Sequence, residues 1–232
     1  MMRHASISTA ILFAATTTCA VAAGAPSANS IAAPAAATAA VARGKILVTT
    51  CAFCHGVEEY TVAYPTERVP LIAGQHAAYI IAALGEYAKG HRHFPTMQAQ
   101  AASLTDRQIR DIAAYISSVA PDVTQVRSPY KPASPGSIAS ANTFSSAPVA
   151  AASCAACHGA RGVSTNPEFP SLAGQYQDYL LQALKEYKSG ERKNAIMNGI
   201  ASSLSLEQMK ELAAYFAKQS GPLRLIPKAG PR

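Results

Sequence analysis

The sequence predicts an all-α protein made of two tandem copies of one small helical unit, joined by a Pro/Ser-rich linker. Three observations predict it. At an offset of 100 residues, 19 of the 46 positions from 70 to 115 are identical to their counterparts. Apolar residues within each copy recur at helical spacing, and no alternating strand pattern of any length is present. The 232 residues are too many for one such unit and too few for three larger domains.

Residues 1–23 read as a secretory signal, with Arg3 and His4 as a basic start and Ala20-Val21-Ala22-Ala23 as a small-residue cleavage site. Thr16, Thr17 and Thr18 interrupt its apolar stretch, which is shorter than the roughly 20 residues a membrane span needs. Residues 24–40 form an Ala/Pro-rich lead carrying Pro26 and Pro34, and are expected to be flexible. Domain 1 is placed at 41–120. It is expected to hold one helix over 77–89, stopped by Gly90, and another in which Ile109, Ile112, Ile116 and Val119 face inward.

Residues 121–136 are the linker, in a region where five prolines fall between 121 and 148. Domain 2 is placed at 137–222, with a helix over 177–188 stopped by Gly190 and a second that buries Met209, Leu212, Ala213 and Phe216. Residues 223–232 are left as a C-terminal tail. The first copy has three more residues before Pro70 than the second has before Pro170, and this slip is assigned to a surface loop.

Hydrophobic residues make up 49% and charged ones 14%, which excludes disorder throughout. Alanine supplies much of that apolar count, Trp is absent and Phe numbers six, so the side-chain core is thin. The net charge of +7 comes from Lys and Arg scattered along the chain with no run of four, which argues against a nucleic-acid partner.

Of five cysteines, Cys19 lies in the signal segment. The other four form Cys51-Ala52-Phe53-Cys54-His55 and Cys154-Ala155-Ala156-Cys157-His158, the spacing of c-type haem attachment. Two cysteines three apart on a helical turn offer both sulfurs to one porphyrin edge, and the adjacent histidine reaches the iron. Zinc would need four ligands at each site. A redox dithiol has no use for a histidine in both copies. Two covalently attached haem c groups are therefore predicted, at Cys51/Cys54 and Cys154/Cys157. They would also complete cores that units of about 80 residues cannot otherwise fill, leaving the apoprotein largely unfolded.

The repeat selects the opposite axial ligands. Outside the signal segment, Met97 and Met197 correspond to each other, whereas Met209 faces Ile109 and is assigned to the core. His55 with Met97 and His158 with Met197 are thus the predicted iron ligands. His76, His91 and His93 have no histidine counterparts and are assigned to the surface. Carbonyls in the loops of Pro70 and Pro170 would accept the second ring N–H of each ligating histidine. Arg92, Arg192, Tyr79 and Tyr179 are candidates to pair with haem propionates, with helix-surface solvation and ordinary packing as the alternative.

These motifs, with Phe169-Pro170-Ser171-Leu172-Ala173-Gly174-Gln175, Gly190-Glu191-Arg192 and Met197-Asn198-Gly199 leading into Leu204-Ser205, resemble the cytochrome c4 family. Its members are periplasmic dihaem proteins of two class I cytochrome c domains, and the likeness covers about 41–120 and 137–219. It implies domains related by a pseudo-two-fold axis with propionate edges facing, and two His/Met haems. It further implies a membrane quinol-oxidising complex as donor, a terminal oxidase as acceptor, and a loose association with the membrane surface. The first copy departs from the pattern. Gly56-Val57-Glu58-Glu59 lacks the usual polar, glycine-bearing continuation, and Gln98-Ala99 follows Met97 without a glycine.

The leading reading is a periplasmic electron carrier of a bacterial respiratory chain, not an enzyme, because histidine and methionine close both axial positions of each iron. A dihaem subunit of a dehydrogenase complex is the alternative. A dihaem peroxidase or sulfur-compound oxidising enzyme fits less well, since it needs a displaceable ligand and an acid/base group above the iron.

Overall fold

The computed structural model describes residues 29–63, 66–119 and 148–228. The predicted signal at 1–23 with Cys19, the linker at 121–136 and the start of the second unit at 137 lie outside the described residues. The first unit contains α1 (Asn29–Leu47), the single turn α2 (Ala52–His55), β1 (Thr61–Ala63), β2 (Thr66–Arg68), α3 (Ala77–Ala88), α4 (Pro95–Ala102) and α5 (Asp106–Ser118). The second contains α6 (Ala151–His158), α7 (Gln177–Ser189), α8 (Ala195–Ser202) and α9 (Leu206–Ala217). Among the described residues, no helix is long and apolar enough to cross a membrane.

The helix starts and stops follow from local chemistry. Thr105 Oγ1 accepts the Gln108 N–H at 3.3 Å while Gln108 Oε1 accepts the Thr105 N–H at 2.8 Å, a capping box that starts α5. Ser205 and Gln208 repeat it at the head of α9, at 3.2 and 2.8 Å. Gly90 and Gly190 adopt φ of 70° and 82° after α3 and α7, a conformation that ends a helix at little cost only in glycine.

Three expectations are corrected. The lead at 24–40 is helical from Asn29 onward rather than flexible, because alanine propagates a helix better than any other residue and α1 then packs on α5. Arg43 holds that pairing with Nε and Nη2 each 2.7 Å from an Asp111 carboxylate oxygen. Gly44 permits it, since a Cβ there would sit 1.9 Å from the Asp111 carbonyl oxygen.

The three-residue slip is not a plain surface loop. It falls in the antiparallel hairpin β1–β2, with Thr61 opposite Arg68 and Val62 opposite Glu67, and this hairpin docks on α7 of the second unit. A strand pattern three residues long is too short for periodicity to register. Nor are residues 223–232 a tail throughout. Leu223 and Ile226 are buried, and Arg224 forms an antiparallel bridge with Ala73 of the first unit.

Two cores result. Val48, Ile80, Ile112, Ala113, Ile116 and Ile226 form the first, and Ala151, Leu180, Leu204, Met209, Leu212, Ala213 and Phe216 the second. Leu71, Tyr176 and Leu223 form a third cluster between the units. Gly44→Ala is expected to destabilise the holoprotein by about 1–3 kcal/mol through overpacking. Gly85→Ala in α3, where an added Cβ meets nothing within 4 Å, should be neutral or stabilising by up to about 1 kcal/mol. Thermal unfolding of the two variants checks the contrast.

Candidate functional site

In the second unit, α6 presents Cys154, Cys157 and His158 on successive positions of one turn. A cavity of about 340 Å³ opens beside it, lined by these three residues, Met197, Leu180 and Phe216. Met197 enters from α8, whose first turn is held by its neighbours. Asn194 Oδ1 accepts the Met197 N–H at 3.1 Å, and Asn198 Nδ2 donates to the carbonyls of Tyr187 and Arg192 at 2.5 and 2.9 Å.

The first unit carries the same residue types on different supports. Cys54 and His55 lie on α2, with Cys51 just before it, and Met97 lies half-buried on α4. Phe94 and Gln98 replace the two asparagines, and α4 instead begins on Pro95, whose missing N–H costs nothing at a helix start.

Each histidine is oriented by a backbone carbonyl. His55 Nδ1 lies 2.8 Å from Pro70 O, and His158 Nδ1 lies 2.9 Å from Pro170 O. A carbonyl can only accept, so the proton is on Nδ1 and the Nε2 lone pair is left for a metal. Burial holds both imidazoles below the usual histidine value, against the opposing pull of the proline carbonyls, which keeps that lone pair available. Burial also pushes the Cys51 and Cys154 thiols above their ordinary value, which disfavours a dithiol poised for exchange.

The two proline loops are braced from the opposite unit. Gln75 Oε1 accepts the Ser171 N–H at 3.0 Å while its Nε2 donates to Ser171 O at 3.0 Å. Reciprocally, Gln175 Oε1 accepts the Leu71 N–H at 3.0 Å and its Nε2 donates to Leu71 O at 2.8 Å. Ser171 and Leu71 directly follow the prolines that hold the histidines, so each glutamine steadies the other unit's loop. Sequence reasoning assigned neither glutamine a role, although Ala-Gly-Gln recurs at 73–75 and 173–175.

Between the units lies a buried aromatic and guanidinium cluster. Arg92 donates from Nε to Glu86 at 2.5 Å and from Nη2 to the Tyr79 hydroxyl at 3.3 Å. Arg192 reaches the same hydroxyl from the second unit at 3.1 Å and stacks over Tyr187 at 4.6 Å. Tyr179 shares the cavity wall with these residues. Arg192 Nε, in a residue only 4% exposed, has no hydrogen-bond partner among the described residues. An unpaired guanidinium N–H on the cavity wall calls for an anionic acceptor, which suits a porphyrin carboxylate. With two thiols, an imidazole nitrogen and a thioether facing one cavity, the residues present fit a haem c. Among the described residues, no three His, Cys, Asp or Glu gather as a metal site of another kind would require.

The hairpin adds elements that the sequence did not disclose. Arg68 donates from Nε and its backbone N–H to Asp178 Oδ2, each at 3.0 Å, and lies over the Tyr176 ring at 4.6 Å. Its neighbour Glu67 is buried, and its Oε2 has no hydrogen-bond partner among the described residues. Burial first, then the nearby Glu186 and Asp178 charges, push the Glu67 carboxyl up to about 8, with Arg192 opposing. His76 is half-buried, not free on the surface. Its Nε2 lies 3.0 Å from Ser164 O across the interface, a contact that a one-copy histidine gives no pattern to foresee. His91 and His93 are exposed.

The family model described as Cytochrome c matches residues 41–120 and 147–220. A cytochrome c-552 of Acidithiobacillus ferridurans is 33% identical over 172 residues, 72% of each chain. A thiosulfate dehydrogenase electron acceptor of Stutzerimonas stutzeri is 33% identical over 173 residues, 72% of this chain and 77% of that one. The solved cytochrome c4 of Acidithiobacillus ferrooxidans superposes with a TM-score of 0.54 at 29% identity, covering 74% of this chain and 99% of that one.

A carboxyl raised on folding is penalised when ionised, so the sign of its pH dependence is fixed. Below about 4.5 Glu67 is protonated in both states and costs nothing; the cost grows as pH rises to about 8 and is constant above. Glu67→Gln should therefore match the wild type in stability near pH 4.5 and exceed it increasingly toward pH 8. Denaturant unfolding of the holoprotein across this range checks it, and parallel stability curves for the two proteins would refute it.

Proposed function

The chain belongs to the cytochrome c family, as a dihaem electron-transfer protein of the cytochrome c4 type, and from that premise we propose that its two irons are closed by His55 with Met97 and by His158 with Met197. The observation that carries the proposal is the shared cavity of Cys154, Cys157, His158 and Met197, with the first unit repeating those residues. Bound at these residues, each haem supplies reversible one-electron exchange. The chain's own groups do the rest. Proline carbonyls orient the imidazoles, the apolar walls from α7 and α9 exclude water, and the methionine thioethers favour the ferrous state. Arg92, Arg192, Tyr79 and Tyr179 are assigned to the propionate side, where they would screen the negative charge between the two units.

With both axial positions closed, the protein acts as a carrier and not as an enzyme. Residues 1–23 direct it to the periplasm, where domains at 41–120 and 137–222, joined by the linker at 121–136, pass electrons from a quinol-oxidising complex toward a terminal oxidase. A second reading makes it the electron acceptor of a dehydrogenase, supported by the likeness to a thiosulfate dehydrogenase electron acceptor. Mild affinity purification separates the two. A stoichiometric dehydrogenase subunit favours the second reading, and an isolated dihaem chain whose reduced form a terminal oxidase re-oxidises favours the first.

Met197→Ala should convert one ferric centre to high spin and move its potential downward, through loss of the thioether. Met209→Ala, which removes a buried core side chain of α9, should lower stability by about 2–5 kcal/mol and leave both spectra intact. Electron paramagnetic resonance and potentiometric titration of the two variants check the assignment. An unchanged spin state in Met197→Ala would contradict it.

A further inference from the structure

The two units cover the same place behind their histidines by different means. In the second unit the chain turns back directly after His158. Gly159 and Gly162 adopt φ of 79° and 80°, and Gly162 O accepts the N–H groups of Leu172 and Ala173 at 2.7 and 3.0 Å. A Cβ on Gly159 would lie 2.2 Å from Val163 O, so the loop closes tightly over the end of α6.

The first unit has Val57-Glu58-Glu59 at this point, turns with Glu59 at a φ of 54° instead of glycines, and leaves the Ala73 N–H to another partner. Its corresponding backbone groups are met by the far end of the chain. The Ala73 N–H, equivalent to that of Ala173, donates to Arg224 O at 3.1 Å, and the Arg224 N–H returns to Ala73 O at 2.9 Å. The Ile226 N–H donates to His55 O at 2.9 Å, and a Cβ on Gly56, the counterpart of Gly159, would lie 2.9 Å from Ile226 O. Ile226 is 1% exposed and belongs to the first core, while Leu223 packs on Leu71, the residue after Pro70.

We propose that residues 223–226 are a positioning segment of the first haem site, supplied from beyond the second domain in place of the glycine turn that the first domain lacks. The segment holds His55 from both sides. Ile226 ties down the carbonyl of His55 itself, and Leu223 packs against the loop whose carbonyl orients the ring. Removing this cover admits water behind His55 and loosens its ring, which favours the more highly charged ferric state and lowers the potential. The first domain therefore depends on the chain's C-terminal segment at this place, whereas the second closes it with its own glycine turn.

The inference rests on the reading of His55 as an iron ligand, and the test separates the two. The full chain is first shown by mass spectrometry of denatured protein to carry two haems, and potentiometric titration resolves two waves, the first-site wave being the one that Met97→Ala displaces. Loss of the Cys51/Cys54 haem from the full chain would defeat the underlying reading. A chain ending at Pro222 is expected to keep both haems, with the first-site wave shifted to lower potential and the second unmoved. Ile226→Ala should shift the same wave less, and Ile226→Val should restore it, a pair that keeps the test decisive where truncation prevents folding. Two haems with both waves unchanged in the truncated chain, or in Ile226→Ala, would overturn the proposal.

Discussion

The hydrogen bond from a buried imidazole N–H to a proline carbonyl is the constraint on which the rest of this molecule depends. It fixes the tautomer, leaves one nitrogen free to bind a metal and sets the angle of the ring. A carbonyl can do this only if its loop stays in place. Proline restricts the loop from within, and a glutamine of the other unit pairs with both backbone groups of the following residue. Neither histidine is therefore held by its own unit alone, and the interface is part of both redox centres.

The reciprocal glutamines express a pseudo-two-fold relation that other contacts break. Tyr79 accepts from both arginines. Among the described residues, the hairpin carrying Glu67 and Arg68 occurs in the first unit alone and docks on the second, while residues 223–226 leave the second unit and complete the first. Each unit thus lends the other a segment. The exchange places the buried Glu67 carboxyl and the Arg68–Asp178 ion pair near the boundary. Such groups give two otherwise similar centres unlike electrostatic surroundings, which is a route to unequal potentials in one chain.

Much of this was legible in the sequence, for identifiable reasons. The Cys-x-x-Cys-His motifs and the paired methionines state their chemistry locally, and the offset of 100 residues exposes the duplication. The spacing of Ile109, Ile112 and Ile116 marks a buried helix face that the structure contains. What escaped were pairings between distant segments. Nothing local to Ile226 indicates that its N–H meets His55, and a glutamine reads as polar surface until its backbone partner is known. The alanine-rich lead was misread because two prolines outweighed a run of strong helix formers. Gly44, which shows where that helix is clamped, has no pattern of its own.

The central claim is that these supports hold both irons in closed coordination, so that electrons pass and ligands do not. Mixing the fully reduced wild-type protein with carbon monoxide tests this most directly, because the gas binds ferrous haem wherever an axial position opens. Spectra unchanged over seconds at both centres are the result the account expects. Rapid uptake at either haem would contradict it and move the protein toward ligand-binding or catalytic chemistry.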